Sequence, residues 1–285
     1  MLEEVSVRPP NVLLFSSMRE RSEEDIMVLV IYTRMIVRAI VIAVLFITLA
    51  GLAARFAMYM WGEAVQALRI FDVGEERSIP TWFESIQFLL CSILLAVVAV
   101  AKKQRNDRYS LHWGVLSIIL LFLSLDEVAS LHEATGQQLE RLLRSIAGFD
   151  PGGAISFFWV VPGAVFVFVV LLAYLRFLAH LPQTTRRWFL FAGALFVLGA
   201  LGLEMLTAQV MSSSGGISNW IVSSSGGIVD RGSASAIPTI LKGLQTSIEE
   251  MFEMLGLTAF VYALLAYISS YAEDINVRVR IDKSA

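Results

Sequence analysis

The sequence predicts an all-α integral membrane protein with six transmembrane helices and both termini cytoplasmic. Three observations predict it. Of 285 residues, 56% are hydrophobic and only 16% are charged, against about 25% charged in soluble domains. The apolar residues fall into runs near 36–60, 82–101, 113–135, 155–178, 187–209 and 244–270, each long enough to cross about 30 Å of hydrocarbon as a helix. Lysine and arginine are concentrated on one side: fifteen of the 22 lie in the N-terminal segment, the tail and alternate loops, and six in the intervening loops. The richer side is expected to face the cytoplasm.

The elements follow in order. Residues 1–35 form a charged cytoplasmic N-terminal segment, where Arg8, Arg19 and Arg21 alternate with Glu20, Glu23, Glu24 and Asp25. A cleavable signal peptide has a different pattern. The first span carries Arg55 in its outer half and ends at Trp61. Pro80 and the stretch Thr81-Trp-Phe-Glu84 read as a capping box opening the second span. Lys102, Lys103, Arg105 and Arg108 mark the next cytoplasmic loop, and Trp113 opens the third span. Trp159 and Trp188 sit where the fourth and fifth spans begin, indole being favoured at the membrane interface. Pro182 and Pro238 punctuate loops. The last outer loop repeats SSSGGI at 212–217 and 223–228, a composition typical of flexible linkers. The transmembrane domain is expected over 36–270 and a cytoplasmic tail over 271–285.

Several function classes fall away. A net charge of −3 gives no basic footprint for nucleic acid. The single Cys91 excludes an intrachain disulfide and a thiolate metal site. Gly-rich phosphate loops, Gly-x-Ser-x-Gly and Cys-x-x-Cys are absent. His112, His132 and His180 are too scattered for a zinc hydrolase.

What remains is acidic. The stretch FLSLDEVASLHE (122–133) closes a run without charge, and SIEEMFEMLG (247–256) opens the last span. With direction assigned, Glu84, Asp126, Glu127, Glu133, Glu204, Glu249, Glu250 and Glu253 all fall in the outer halves of four spans. A carboxylate in hydrocarbon costs several kcal/mol unless it is paired, protonated or bound to a cation. At about 100° per residue, Asp126, Ser130, Glu133 and Gln137 share one helical stripe, and Glu249, Glu250 and Glu253 can line one side. On the same geometry Glu127 and His132 point away from that stripe, toward headgroups or a second neighbour. Glu84 also fits the second half of a capping box, and Glu249 and Glu250 fit first-turn acids at a helix N-terminus. Arg55 is the base placed to neutralise part of the cluster, with a carboxylate of the second or sixth span as its expected partner.

Oxygen-rich ligation suits a divalent Fe, Mn, Mg or Ca ion. The candidate ligands are Glu84, Asp126, His132, Glu133, Glu204, Glu250 and Glu253, with Arg55 as charge partner. Their order along the chain, single acids alternating with pairs, resembles the di-metal carboxylate bundles, which use one Glu from each of two helices and a Glu-x-x-His pair from each of the others. The resemblance implies a metal centre. FLSLDEVASLHE and SIEEMFEMLG also resemble segments of bacterial polytopic membrane proteins of unassigned function, which implies six spans; a bacterial inner membrane is the expected location. The expected function is therefore an outward-facing carboxylate site that binds a cation, with di-metal chemistry on a lipid-soluble substrate as one form of it. A cation- or proton-coupled transporter using the same acids is the alternative, and a non-catalytic subunit of a membrane complex is a third.

Overall fold

The computed structural model describes residues 33–75, 77–147, 160–203, 205, 219, 223–225 and 231–270. It contains α1 (Thr33–Trp61), a 3-10 segment (Gly62–Phe71), α2 (Ile79–Gln104), α3 (Ser110–Ala129), α4 (Leu131–Ala147), α5 (Val160–His180), α6 (Gln183–Val197), a π segment (Leu198–Leu203) and α7 (Arg231–Ser270). Six helices are long and apolar enough to cross a membrane: α1, α2, α3, α5, α6 with its π segment, and Ile240–Ser270 of α7. This is the architecture of a multi-pass membrane protein.

The ends of α2 show how local sequence sets the boundaries. Ser78, not Thr81, is the N-cap: its side chain accepts from the Thr81 backbone N–H at 3.4 Å, and the two hydroxyls lie 3.1 Å apart. Pro80 falls in the first turn, where a missing N–H costs nothing. Glu84 is thereby released from the capping box and placed inside the helix. At the other end Asn106 takes a left-handed φ of 55°. The Asn106 N–H donates to the Lys103 carbonyl and the Asp107 N–H to the Lys102 carbonyl, both at 3.0 Å. This is a Schellman closure with asparagine in the position usually held by glycine.

α2 and α3 form the most extensive helix pair, and α7 packs on α1, α2, α6 and the π segment. Two serine pairs join α2 to α3. Ser85 donates to the Ser124 carbonyl and Ser124 to the Ser85 carbonyl, each at 2.8 Å. Two helical turns on, Ser92 and Ser117 repeat the exchange at 2.8 Å. Small hydroxyl residues let the backbones approach and satisfy each other across the interface. Beyond them an aromatic core surrounds Trp113, whose ring meets Phe177 and Tyr267 at 5.0 Å and Phe189 at 5.8 Å.

The third span is shorter than the sequence predicts. The expected helix 113–135 ends at Ala129, because Ser130 adopts a left-handed φ of 50°. α4 then starts in a new direction, so the single stripe expected from Asp126 to Gln137 is broken. The last helix is longer than predicted. It begins at Arg231, which places Glu249 and Glu250 about five turns inside; neither is a first-turn acid.

Candidate functional site

Opposite the aromatic core, the bundle gathers carboxylates from α2, α3 and α7. Glu84 is 1% exposed on α2. Its carboxyl is in hydrogen-bonding contact with that of Glu250, and Glu127 and Glu253 are close enough to act on it electrostatically. One oxygen of Glu84, Oε1, has no hydrogen-bond partner. Glu249, 7% exposed, lies one turn before Glu253 and acts electrostatically on Glu250.

Two glycines bring α7 close enough for this. A Cβ on Gly199 would lie 2.7 Å from Glu253 Cγ and 2.9 Å from the Glu249 carbonyl oxygen. A Cβ on Gly256 would lie 2.7 Å from the Phe196 backbone nitrogen. The π segment holding Gly199 thus rests directly on the acidic turn of α7, and Gln245 of α7 donates to the Leu203 carbonyl at 2.9 Å. π distortions are frequent at functional sites because they break the regular stacking of a helix.

Glu127, Glu249, Glu250 and Glu253 border a cavity of about 400 Å³. Its polar wall includes Arg55, Glu75, Asp126, Glu127, His132, Lys242, Glu249, Glu250 and Glu253, and its apolar wall includes Phe88, Leu123, Phe166, Val167, Phe196, Val197 and Leu201. Among the described residues of that wall, acids outnumber bases. Arg55 is engaged by Asp72, Nε to Oδ1 at 2.5 Å, and the same oxygen accepts from the Gly74 N–H at 3.0 Å. The expected partner from the second or sixth span is replaced by a residue beyond the 3-10 segment, although Arg55 still attracts Glu250 across the cavity.

The left-handed turn at Ser130 creates the other polar contact. Asp126 accepts from the His132 backbone N–H at 2.9 Å, and its second oxygen lies 2.9 Å from His132 Nδ1. A continuous helix turns the two side chains apart; the break folds them together.

Of the residues singled out in the sequence, Glu84, Glu250 and Glu253 meet in the nest, and Asp126, His132 and Arg55 line the adjoining cavity. Glu204 and the side chain of Glu133 lie outside the described residues. Among the described residues no group of three or more His, Cys, Asp or Glu is arranged to hold a metal ion. Glu127, which helical phase turned away, faces the nest instead. Its position depends on how α3 rotates on α2, and the signal for that was the serine spacing, 85 and 92 against 117 and 124. Asp72 left no signal: it lies in a short polar connection distant from Arg55 in sequence.

No curated protein and no solved structure matches this chain. Residues 39–268 match the family described as a domain of unknown function, DUF8692, and the chain belongs to that family.

Proposed function

We propose that this protein is a proton- or cation-coupled membrane transporter whose coupling site is the Glu84–Glu250 carboxyl pair. The observation that carries the reading is the contact itself. Two carboxyl oxygens that meet inside an apolar bundle need a proton or a cation between them, since like charges at that range repel strongly in a low dielectric. A proton is the simplest occupant that a single carboxyl–carboxyl contact accommodates. Glu127, Glu249 and Glu253 surround the pair, so occupancy of one site alters the others. The adjoining cavity gives a transported solute room beside the coupling site. Intramembrane acids facing a cavity commonly serve such relays.

The test is infrared difference spectroscopy of the full chain in lipid nanodiscs while pH is changed, with metal analysis of the same sample. A protonated-carboxyl band that shifts in deuterated water and disappears in both Glu84→Gln and Glu250→Gln is the expected result. A sample with no such band and stoichiometric Fe or Mn would overturn the proton reading in favour of the di-metal one.

A further inference from the structure

The proposed coupling pair explains the acids but leaves the shape of the cavity unused. Glu250 faces both: it touches Glu84 on one side and lines the cavity on the other. Phe88, Phe166 and Phe196 line the same cavity, the Phe88 and Phe196 rings meeting edge to face at 5.4 Å. We infer that the cavity takes a hydrophobic organic cation, whose positive centre replaces the proton at Glu250.

Each part of the wall selects for this class. An anion meets the excess of carboxylates, and the guanidinium of Arg55 is already committed to Asp72. A bare inorganic ion leaves the apolar wall of Phe166, Val167 and Leu201 unmatched. A cation with an apolar body satisfies both walls, because ring faces attract cationic groups, quaternary ammonium included. Pockets of about 300–1,000 Å³ hold molecules of this size, and the cavity falls within that range. Glu84, 1% exposed with Oε1 unpartnered, lies behind Glu250 and gives the acidic wall an unmet demand for positive charge.

Access is built in as well. Phe166 lines the cavity yet is 47% exposed on α5. Phe166 thus borders both the cavity and the exposed surface of α5, while the other end of α5 is fixed by Tyr174 and Phe177 in the aromatic core. A lipid-soluble cation can therefore enter from the bilayer. Charge then balances by exchange: one positive centre arrives at Glu250 and one proton leaves to water. The groups that act on that exchange are Glu84 from α2, Glu127 from α3, Glu249 and Glu253 from α7, and Arg55 from α1. Asp126, His132 and Lys242 stand further round the same wall.

This inference rests on the coupling-site reading, and the experiment separates the two. Tetraphenylphosphonium is titrated into nanodiscs carrying the full chain, in weak buffer with a pH indicator, and into empty nanodiscs to measure partition into lipid. The expected result is saturable binding with release of about one proton per site. Glu250→Gln should abolish the proton release and weaken binding about tenfold or more. Phe166→Ala, on a surface that contributes little to packing, should weaken binding about two- to fivefold. Binding no greater than in empty nanodiscs, or unchanged in both variants, overturns the organic-cation assignment, and the infrared band then decides the coupling reading by itself. Saturable binding without proton release overturns the exchange.

Discussion

Two sets of polar side chains lie within the same bundle and face opposite fates. Ser85, Ser92, Ser117 and Ser124 join α2 to α3, and each hydroxyl donates to a carbonyl across the interface. Glu84, at the neighbouring position to Ser85, is turned toward Glu250, where an acceptor meets an acceptor. One residue along the helix separates a satisfied contact from an unsatisfied one. Polarity inside a span is therefore ambiguous by itself. It is adhesive where donors and acceptors match in number and chemical where they do not, because a mismatch demands a proton, an ion or a ligand.

The acidic nest can be dismantled without touching an acid. Gly256→Leu would drive a side chain into the Phe196 backbone, 2.7 Å from the Cβ position, and force α6 from α7. Overpacking of this kind costs about 1–3 kcal/mol or more. Thermal unfolding in detergent should show a large loss of stability, whereas Gly193→Ala, which meets nothing within 4 Å, should leave the melting curve in place. Next in size is Arg55→Ala. It removes an ion pair whose partners are 22% and 13% exposed, and charged hydrogen bonds contribute about 1.5–3 kcal/mol. Asp72→Asn should be non-additive with it. Additive losses in the double mutant would show that Arg55 serves the cavity wall and not the Asp72 contact.

The six spans were legible because long apolar runs and the lysine and arginine bias survive any detail of packing. The structure bears out six helices long and apolar enough to span. The site was legible only as an inventory. Helical phase assumed a continuous third span, and a single left-handed residue, Ser130, reversed the relation of Asp126 to His132. The cap was misplaced from Ser78 to Thr81 because both residues can cap, and the choice depends on backbone angles that composition does not fix. Glu127 and Asp72 took their places through helix rotation and a 3-10 connection, which are tertiary effects. No periodicity in one chain reports them.

The satisfied set should be weaker in stability terms than its geometry implies. Removing one hydroxyl from the Ser85–Ser124 pair is expected to cost about 0.6 kcal/mol, since the unfolded chain in a membrane also finds partners. A double-mutant cycle of Ser85→Ala and Ser124→Ala measures the coupling directly. The infrared carboxyl band should be unmoved by both, in contrast to Glu84→Gln, which is expected to change stability little and remove the band. Serine variants that lose the band as completely as Glu84→Gln would erase the distinction between glue and chemistry.

The smallest effect comes from an acid outside the spans, which calibrates the two polar sets within them. Asp107 lies in the connection between α2 and α3. Burial opposes its ionisation, but the Tyr109 backbone N–H at 2.8 Å and Lys102 at 3.4 Å outweigh it, with His180 adding to the attraction. The carboxyl is therefore held below its ordinary value. A depressed folded-state value makes the contribution to stability present above the unfolded carboxylate range, near pH 4, and lost as pH falls through the folded value. Asp107→Asn should lower the melting temperature slightly at neutral pH, with the difference from the parent chain shrinking below about pH 4. The same substitution should leave the infrared carboxyl band intact, because Asp107 lies beyond the membrane-spanning helices. A melting difference independent of pH would mean that the Schellman turn at Asn106, and not the charge of Asp107, holds this connection. A band that vanished with Asp107 would place the protonated carboxyl in the loop and remove the spectroscopic case for the Glu84–Glu250 pair.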